Sequence, residues 1–138
     1  MTNSCELCLK SGEEVIRDDG FARVVLVGDA DHPGFCRVIL NAHAREMTDL
    51  PEEQRAQLMR MVYAVEQCLR ELLAPDKLNL ASLGNVVAHL HWHVIPRFSD
   101  DPHFPNSVWS HRQGGGARPL PAGFAKLLRQ RLGQLLDR

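Results

Sequence analysis

Residues 86–97 read Val86-Val87-Ala88-His89-Leu90-His91-Trp92-His93-Val94-Ile95-Pro96-Arg97. The stretch is rich in β-branched and aromatic residues, and it predicts a strand over 86–95 that Pro96 closes. Side chains alternate faces along a strand, so His89, His91 and His93 share one face while Leu90, Trp92 and Val94 share the other. At ~3.3 Å rise per residue, neighbouring imidazoles start ~6.6 Å apart and the row spans ~13 Å. That is the scale of a phosphate with its leaving group and one metal ligand. The apolar face is expected to pack on the core and hold the strand rigid. An imidazole titrates near neutrality: neutral, it attacks phosphorus, and protonated, it neutralises phosphate oxygens or gives a proton to a leaving group. Alternating histidines also suit zinc or copper, so a bare metal site is the main competing reading.

Upstream, Lys77 to Leu83 reads as a strand that Gly84-Asn85 interrupts with a bend or bulge. Before it, Pro51-Glu52-Glu53 suits a first helical turn. Leu58, Val62, Val65, Leu69 and Leu72 then form one apolar stripe, and Ala74-Pro75 ends the helix. Phe21 to Val27 and Phe35 to Leu40 read as two strands around the turn signal Asp31-His32-Pro33-Gly34. Their connection is too short for a crossover helix, which predicts an antiparallel pair. Beyond Arg97 the chain reads as loop to Gly114-Gly115-Gly116, followed by an amphipathic helix from Pro121 with Phe124, Leu127, Leu128, Leu132 and Leu135 on one side. The expected organisation is residues 1–112 as the main domain. Residues 113–138 would be a glycine-rich connection and C-terminal helix, either part of that domain or a tail.

The 138 residues fit one domain with one core, and 24% charged residues with a net charge of −1 give no global signal for nucleic-acid or membrane binding. An anionic ligand must therefore be held by local donors. No apolar run approaches the ~20 residues of a membrane span. The stretch Met1 to Glu6 lacks a basic segment followed by an apolar one, so no secretory signal is expected and a cytoplasmic protein is.

Four cysteines stand at 5, 8, 36 and 68. Cys36 and Cys68 lie inside apolar patterns and read as core. Cys5-Glu6-Leu7-Cys8 has the spacing of half a tetrahedral zinc site, and no second pair of this kind exists to complete it. Histidines would have to supply the other ligands: His43 and one of the strand histidines first, with His32, His103 and His111 in reserve. A redox pair or two inert thiols are the alternatives.

The run from His89 to Arg97 resembles the signature of the histidine triad (HIT) superfamily, in which three alternating histidines are followed by apolar residues. Val38 to His43 and Met47 to Leu50 resemble that family's strand, its upstream histidine and the lead into its long helix, so the similarity runs from about Cys5 to Arg97. The resemblance implies an α+β fold, with an antiparallel sheet of about five strands packed against a long helix, here with an added C-terminal helix. It implies members that pair into homodimers. It also implies nucleotidyl transfer or hydrolysis at the α-phosphate of substrates such as dinucleoside polyphosphates and nucleoside phosphoramidates. His91 would be the nucleophile that forms a nucleotidyl-histidine intermediate, and His93 would contact phosphate oxygens or the leaving group. His89 completes the catalytic triad motif and, in zinc-bearing relatives, joins the metal. That maps a structural zinc onto Cys5, Cys8, His43 and His89.

Departures from the family pattern stand at Asn85, where glutamine is usual, and at Val86, where serine or threonine is common. Asn85 keeps the amide on a shorter arm, and Val86 removes a hydroxyl that would contact phosphate. These changes sustain an alternative reading, a non-catalytic nucleotide- or metal-binding protein. A uridylyltransferase-like reading would need glutamine in place of His93. Asp29 is the candidate ribose contact, against an ordinary turn aspartate. Asn79 reads equally as a site amide or a strand-end residue. Trp92 is expected in the core, Trp109 either near the site or over a surface patch, and Arg97 in solvent rather than steering phosphate.

Overall fold

The computed structural model describes residues 5–137; Met1 to Ser4, most of the stretch read for a secretory signal, lie outside it. The elements in chain order are α1 (Glu6–Leu9), β1 (Glu14–Asp18), β2 (Ala22–Leu26), β3 (Cys36–Leu40), a short 3₁₀ turn (Met47–Asp49), α2 (Glu52–Leu73), β4 (Lys77–Ala81), β5 (His91–Arg97) and α3 (Phe124–Leu136). Among the described residues, five strands form one sheet in the order β1-β2-β3-β5-β4, with every neighbouring pair antiparallel. This is the expected α+β architecture.

The expected strand pair is β2–β3, in register from Ala22 opposite Leu40 to Leu26 opposite Cys36. Alternation sends Ala22, Val24, Cys36, Val38 and Leu40 to one face, where they join Leu58, Val62, Val65 and Leu69 of α2 in a single buried cluster. Leu72, the fifth residue of the helix stripe, packs on its edge. α2 begins after Pro51, with Glu52 and Glu53 in the first turn, and stops at Ala74 in a left-handed conformation before Pro75. Phe124, Leu128 and Leu132 of α3 enter the same cluster, whereas Leu127 is 40% exposed. No helix among the described residues is long and apolar enough to cross a membrane.

The other face of the sheet is left for function. Arg23, Val25, Arg37, Ile39, His91 and His93 alternate with the core residues of β2, β3 and β5, and α1 lies over part of this face through Leu7, which packs with Val25 and Ile39.

The sequence predicts β5 from residue 86, but the strand starts at His91 and runs through Pro96 to Arg97. The His89 N–H donates to the Val87 carbonyl at 2.9 Å, closing a three-residue turn that breaks the extended run. Val86 is consequently a loop residue, 97% exposed. Pro96 is tolerated in the strand, where it faces Leu78 of β4. β1 and α1 are not expected from the residues themselves: β1 carries one buried apolar residue, Ile16, and a register shift between Val15 and Arg17.

Candidate functional site

Cys5 bounds α1 and Cys8 follows three residues later, so one helical turn sets both thiols on one side. His43 comes just after β3 and His89 just before β5. Leu90 ties these two segments together, donating its N–H to the Ala44 carbonyl at 2.7 Å while its own carbonyl accepts the Leu40 N–H at 3.2 Å. The result is a cluster of four donors. His89 Nδ1 lies 3.3 Å from Cys5 Sγ, 3.3 Å from Cys8 Sγ and 3.2 Å from His43 Nδ1, and Cys8 Sγ lies 3.4 Å from His43 Nδ1.

The opposite ring nitrogen of His89 donates to the Leu40 carbonyl at 2.6 Å. That fixes the tautomer and turns the Nδ1 lone pair toward the thiols. One lone pair facing three neighbours makes little sense as hydrogen bonding. A tetrahedral ion with bonds of ~2.3 Å to sulfur and ~2.0–2.1 Å to nitrogen would separate its ligands by about 3.3–3.8 Å. The four side chains therefore fit one metal ion, with Leu40 orienting His89 from behind. Burial holds His89 below the usual histidine pKa, the Leu40 bond opposing it and nearby His43 adding to it, so the ring is neutral and ready to ligate.

The expectation of three histidines in one row is thereby corrected. The turn at residues 87–89 takes His89 off the strand, and its ring packs edge-on against His43 with centroids 5.0 Å apart. His91 and His93 keep the alternation, and their centroids are 4.9 Å apart. Leu90 and Val94 fill the core on the opposite face, with Trp92 packed against it.

His91 Nδ1 reaches the carbonyl of His89 at 2.5 Å. A carbonyl only accepts, so Nδ1 carries the proton and Nε2 is left with its lone pair. The Ser82 hydroxyl donates to the His91 carbonyl at 2.8 Å and steadies the strand there. Burial lowers the pKa of His91, its bond to the His89 carbonyl raises it, and the Arg37 cation lowers it again; the net shift is downward. Burial, then His91 and Arg37, push His93 down to about 4. Both rings are neutral at pH 7.

The two imidazoles line a cleft of about 330 Å³, with Asn85, Val87, Leu7, Arg37 and Trp109 among its walls. Asn85 is exposed at its rim. Trp109 rests on His93 with centroids 5.0 Å apart, which settles it beside the cleft rather than on a remote surface patch. Phe35 meets the same imidazole edge-on at 5.6 Å.

Other residues singled out in the sequence have different positions. The Asp29 carboxylate accepts the backbone N–H groups of Asp31 and His32 at 2.8 and 3.2 Å, the bonding of a turn aspartate. His32 and His103 bond each other, Nε2 to Nδ1 at 2.9 Å, and among the described residues the group of potential metal ligands around the cysteine pair takes in none of the reserve histidines His32, His103 and His111. Arg97, expected in solvent, is 1% exposed. It pairs with Asp101 through Nε at 2.8 Å, and the Asn79 amide oxygen accepts from the same guanidinium at 2.8 Å. That bond places Asn79 in the support of the strand end.

Two arginines escape notice in the sequence because they look like polar interruptions of apolar strands. Arg23 is fully buried and held by Glu13, Asn41 and the Leu7 carbonyl. Arg37 faces the cleft, directly opposite His93 in the β3–β5 register. Period-two counting from His93 across a predicted antiparallel neighbour would have found it.

Known proteins with this pattern agree with the geometry. The HIT domain family matches residues 10–100. A histidine triad protein of Bradyrhizobium japonicum is 33% identical, with 96% of this chain and 97% of that one covered and a TM-score of 0.75. A zinc-bound histidine triad family protein of Mycobacterium smegmatis is 26% identical, with 97% and 96% covered and a TM-score of 0.68. An AP-4-A phosphorylase of Mycobacterium tuberculosis is 25% identical over 96 residues, which are 65% of this chain and 46% of that protein. The chain thus spans less than half the length of the curated relative it matches. From the residues matched, the shared fold and the arrangement of the histidines, the chain belongs to the HIT domain family.

Proposed function

We propose that the protein is a hydrolase or transferase acting at the α-phosphate of nucleotidylated substrates, such as dinucleoside polyphosphates or nucleoside phosphoramidates, with His91 as nucleophile. The observation that carries this reading is the Nδ1 bond of His91 to the His89 carbonyl, which leaves an unprotonated Nε2 on the wall of the cleft. In the first step Nε2 forms a bond to phosphorus, and the bond from phosphorus to the leaving group breaks, its electron pair departing with that group. In the second step water, or the phosphate of an acceptor, attacks the same phosphorus, the P–N pair returns to Nε2, and an attacking water releases its proton to bulk solvent. The His89 carbonyl accepts from the imidazolium that forms during attack and keeps the ring aimed. His93, neutral and next to His91, contacts the phosphate oxygens or the leaving group. Asn85 at the rim is a further substrate contact, and Asp29 remains a candidate only if its turn opens toward a ribose.

The four donors Cys5, Cys8, His43 and His89 are proposed to hold a structural zinc. The zinc-bound relative from Mycobacterium smegmatis supports that identity. Four protein ligands leave no open position, so the ion contributes rigidity rather than an activated water. His89 then serves as an anchor: it fixes the turn whose carbonyl orients His91. The reading includes a homodimer, as the family resemblance implies.

The test is a panel of dinucleoside polyphosphates and adenosine phosphoramidates with wild type and His91→Ala. Release of a mononucleotide by wild type and its loss in the variant are expected. Binding without turnover by wild type would replace the enzyme with a nucleotide-binding protein.

A further inference from the structure

Three buried or half-buried arginines flank the functional face, and two of them are neutralised: Arg23 by Glu13 and Arg97 by Asp101. Arg37 is different. Among the described residues its guanidinium has no hydrogen-bond or ion-pair partner, and its Nε is buried and unsatisfied. A buried donor without a partner is costly, and a cation beside a cleft is most readily satisfied by an anionic ligand. Glu6 also lines the cleft and does not pair with it.

Position gives this cation a direction. Arg37 lies opposite His93 in the strand register, whereas Ile39 lies opposite His91. It therefore sits on the far side of His91 from the Cys5–Cys8–His43–His89 cluster. On that same side Trp109 covers His93, is 52% exposed, and faces a cleft whose other walls include Leu83 and Val87. The nucleophile is thus flanked on the His93 side by an unpaired cation and an exposed aromatic ring.

We infer that Arg37 and Trp109 form a leaving-group subsite for a departing nucleotide, Arg37 binding its phosphate chain and Trp109 its base. The assignment rests on the nucleotidyl-transfer reading above and narrows it. A leaving group that is anionic and carries a ring uses both walls; ammonia or a small amine uses neither. Val86 has no hydroxyl to offer a phosphate and is turned out to solvent, so Arg37 is the donor at hand for the phosphate chain.

The experiment compares diadenosine tetraphosphate with adenosine 5′-phosphoramidate. Both donate the same adenylyl group and differ in what leaves. For Arg37→Gln, the loss in kcat/KM on the dinucleotide should exceed the loss on the phosphoramidate by at least ~10-fold, the weight of a charge-assisted phosphate contact. Arg37→Lys should recover part of the difference. Trp109→Ala should show a preferential loss of about 5- to 10-fold on the dinucleotide, mainly in KM, with Trp109→Phe milder. Equal losses on the two substrates would overturn the subsite, because Arg37 would then act on the transferred phosphate or on the fold. No loss on either would overturn it as well.

Wild type that turns over neither substrate would signal failure of the nucleotidyl-transfer reading instead. In that event calorimetric titration with ATP, the nucleotide that would depart, decides the subsite alone: at least ~10-fold weaker binding to Arg37→Gln supports it, and unchanged binding removes it.

Discussion

Replacing Asp101 with alanine should be among the most damaging single changes in the molecule. Asp101 is 8% exposed and accepts five hydrogen bonds: two from Arg97, at 2.8 and 3.1 Å, and one each from the backbone N–H groups of Phe98, His103 and Phe104. Arg97 is itself buried, so the alanine variant leaves a guanidinium without its counter-ion inside the protein. Breaking a buried pair from one side costs about 3–5 kcal/mol. For a chain of this size that lowers Tm by about 10–20 °C. Asp101→Asn keeps one acceptor oxygen and should lose less. The double change Arg97→Met with Asp101→Leu removes both charges and should recover part of the loss, the remainder being the three backbone donors left unpaired. Urea unfolding of the four proteins measures this directly. A loss below about 1 kcal/mol for Asp101→Ala would show that the pair behaves as a solvent-exposed one, because an exposed pair contributes no more than that. Stability should also depend on pH through this group. Burial alone would raise the carboxyl, but Arg97 and the three N–H groups outweigh it and hold the pKa well below the usual range. The unfolded state then binds the proton more tightly, so this stabilisation is complete above the ordinary value of ~3.9 and is lost as pH falls below it.

Further outcomes follow from the two clusters. Purified protein should carry zinc at about one equivalent per chain. Cys8→Ser or treatment with a strong chelator should remove it and lower Tm together, whereas metal-free wild type of unchanged Tm would show that no structural ion supports the fold. His93 is held down to about 4, so it enters the folded state neutral. Its unfolded counterpart takes up a proton near ~6.5, and stability falls as pH drops from there toward 4 by as much as about 2–3 kcal/mol. The pH dependence of unfolding in His93→Gln should be flatter over that window, and an identical slope would show that His93 is not so shifted.

Much of the fold could be read from periodicity. The stripe from Leu58 to Leu69, the alternation in β2 and β3 and the run after Pro121 each carry enough apolar residues at fixed spacing to declare their element and its buried face. β1 could not be read in the same way. It is an edge strand with a register shift, and Val15 on it is 40% exposed, so no hydrophobic period survives. The limit of the alternation rule appears at His89. Counting by two treats 86–95 as one strand, but a hydrogen bond between the His89 N–H and the Val87 carbonyl bends the chain there, and no residue in Val86-Val87-Ala88 signals a turn. The Cys5/Cys8 pair asks for histidine ligands without saying which strand histidine supplies one; that His89 parts from His91 and His93 is what the family resemblance implies. Arg97 and Asp101 were opaque for another reason. A buried charge pair looks the same in sequence as two solvated residues four apart, and only the fold brings the chain after β5 back over the strand end.

A covalent nucleotidyl-histidine on His91 is open to direct observation. Wild type mixed with excess diadenosine tetraphosphate and quenched rapidly in base, where a phosphoramidate bond survives, should yield a peptide spanning residue 91 that is heavier by one adenylyl group and fragments at His91. The adduct should form no more slowly than turnover and be absent from His91→Ala. Mononucleotide release that continues in His91→Ala, or an adduct found on His93 or on no histidine, would rule out His91 as the nucleophile.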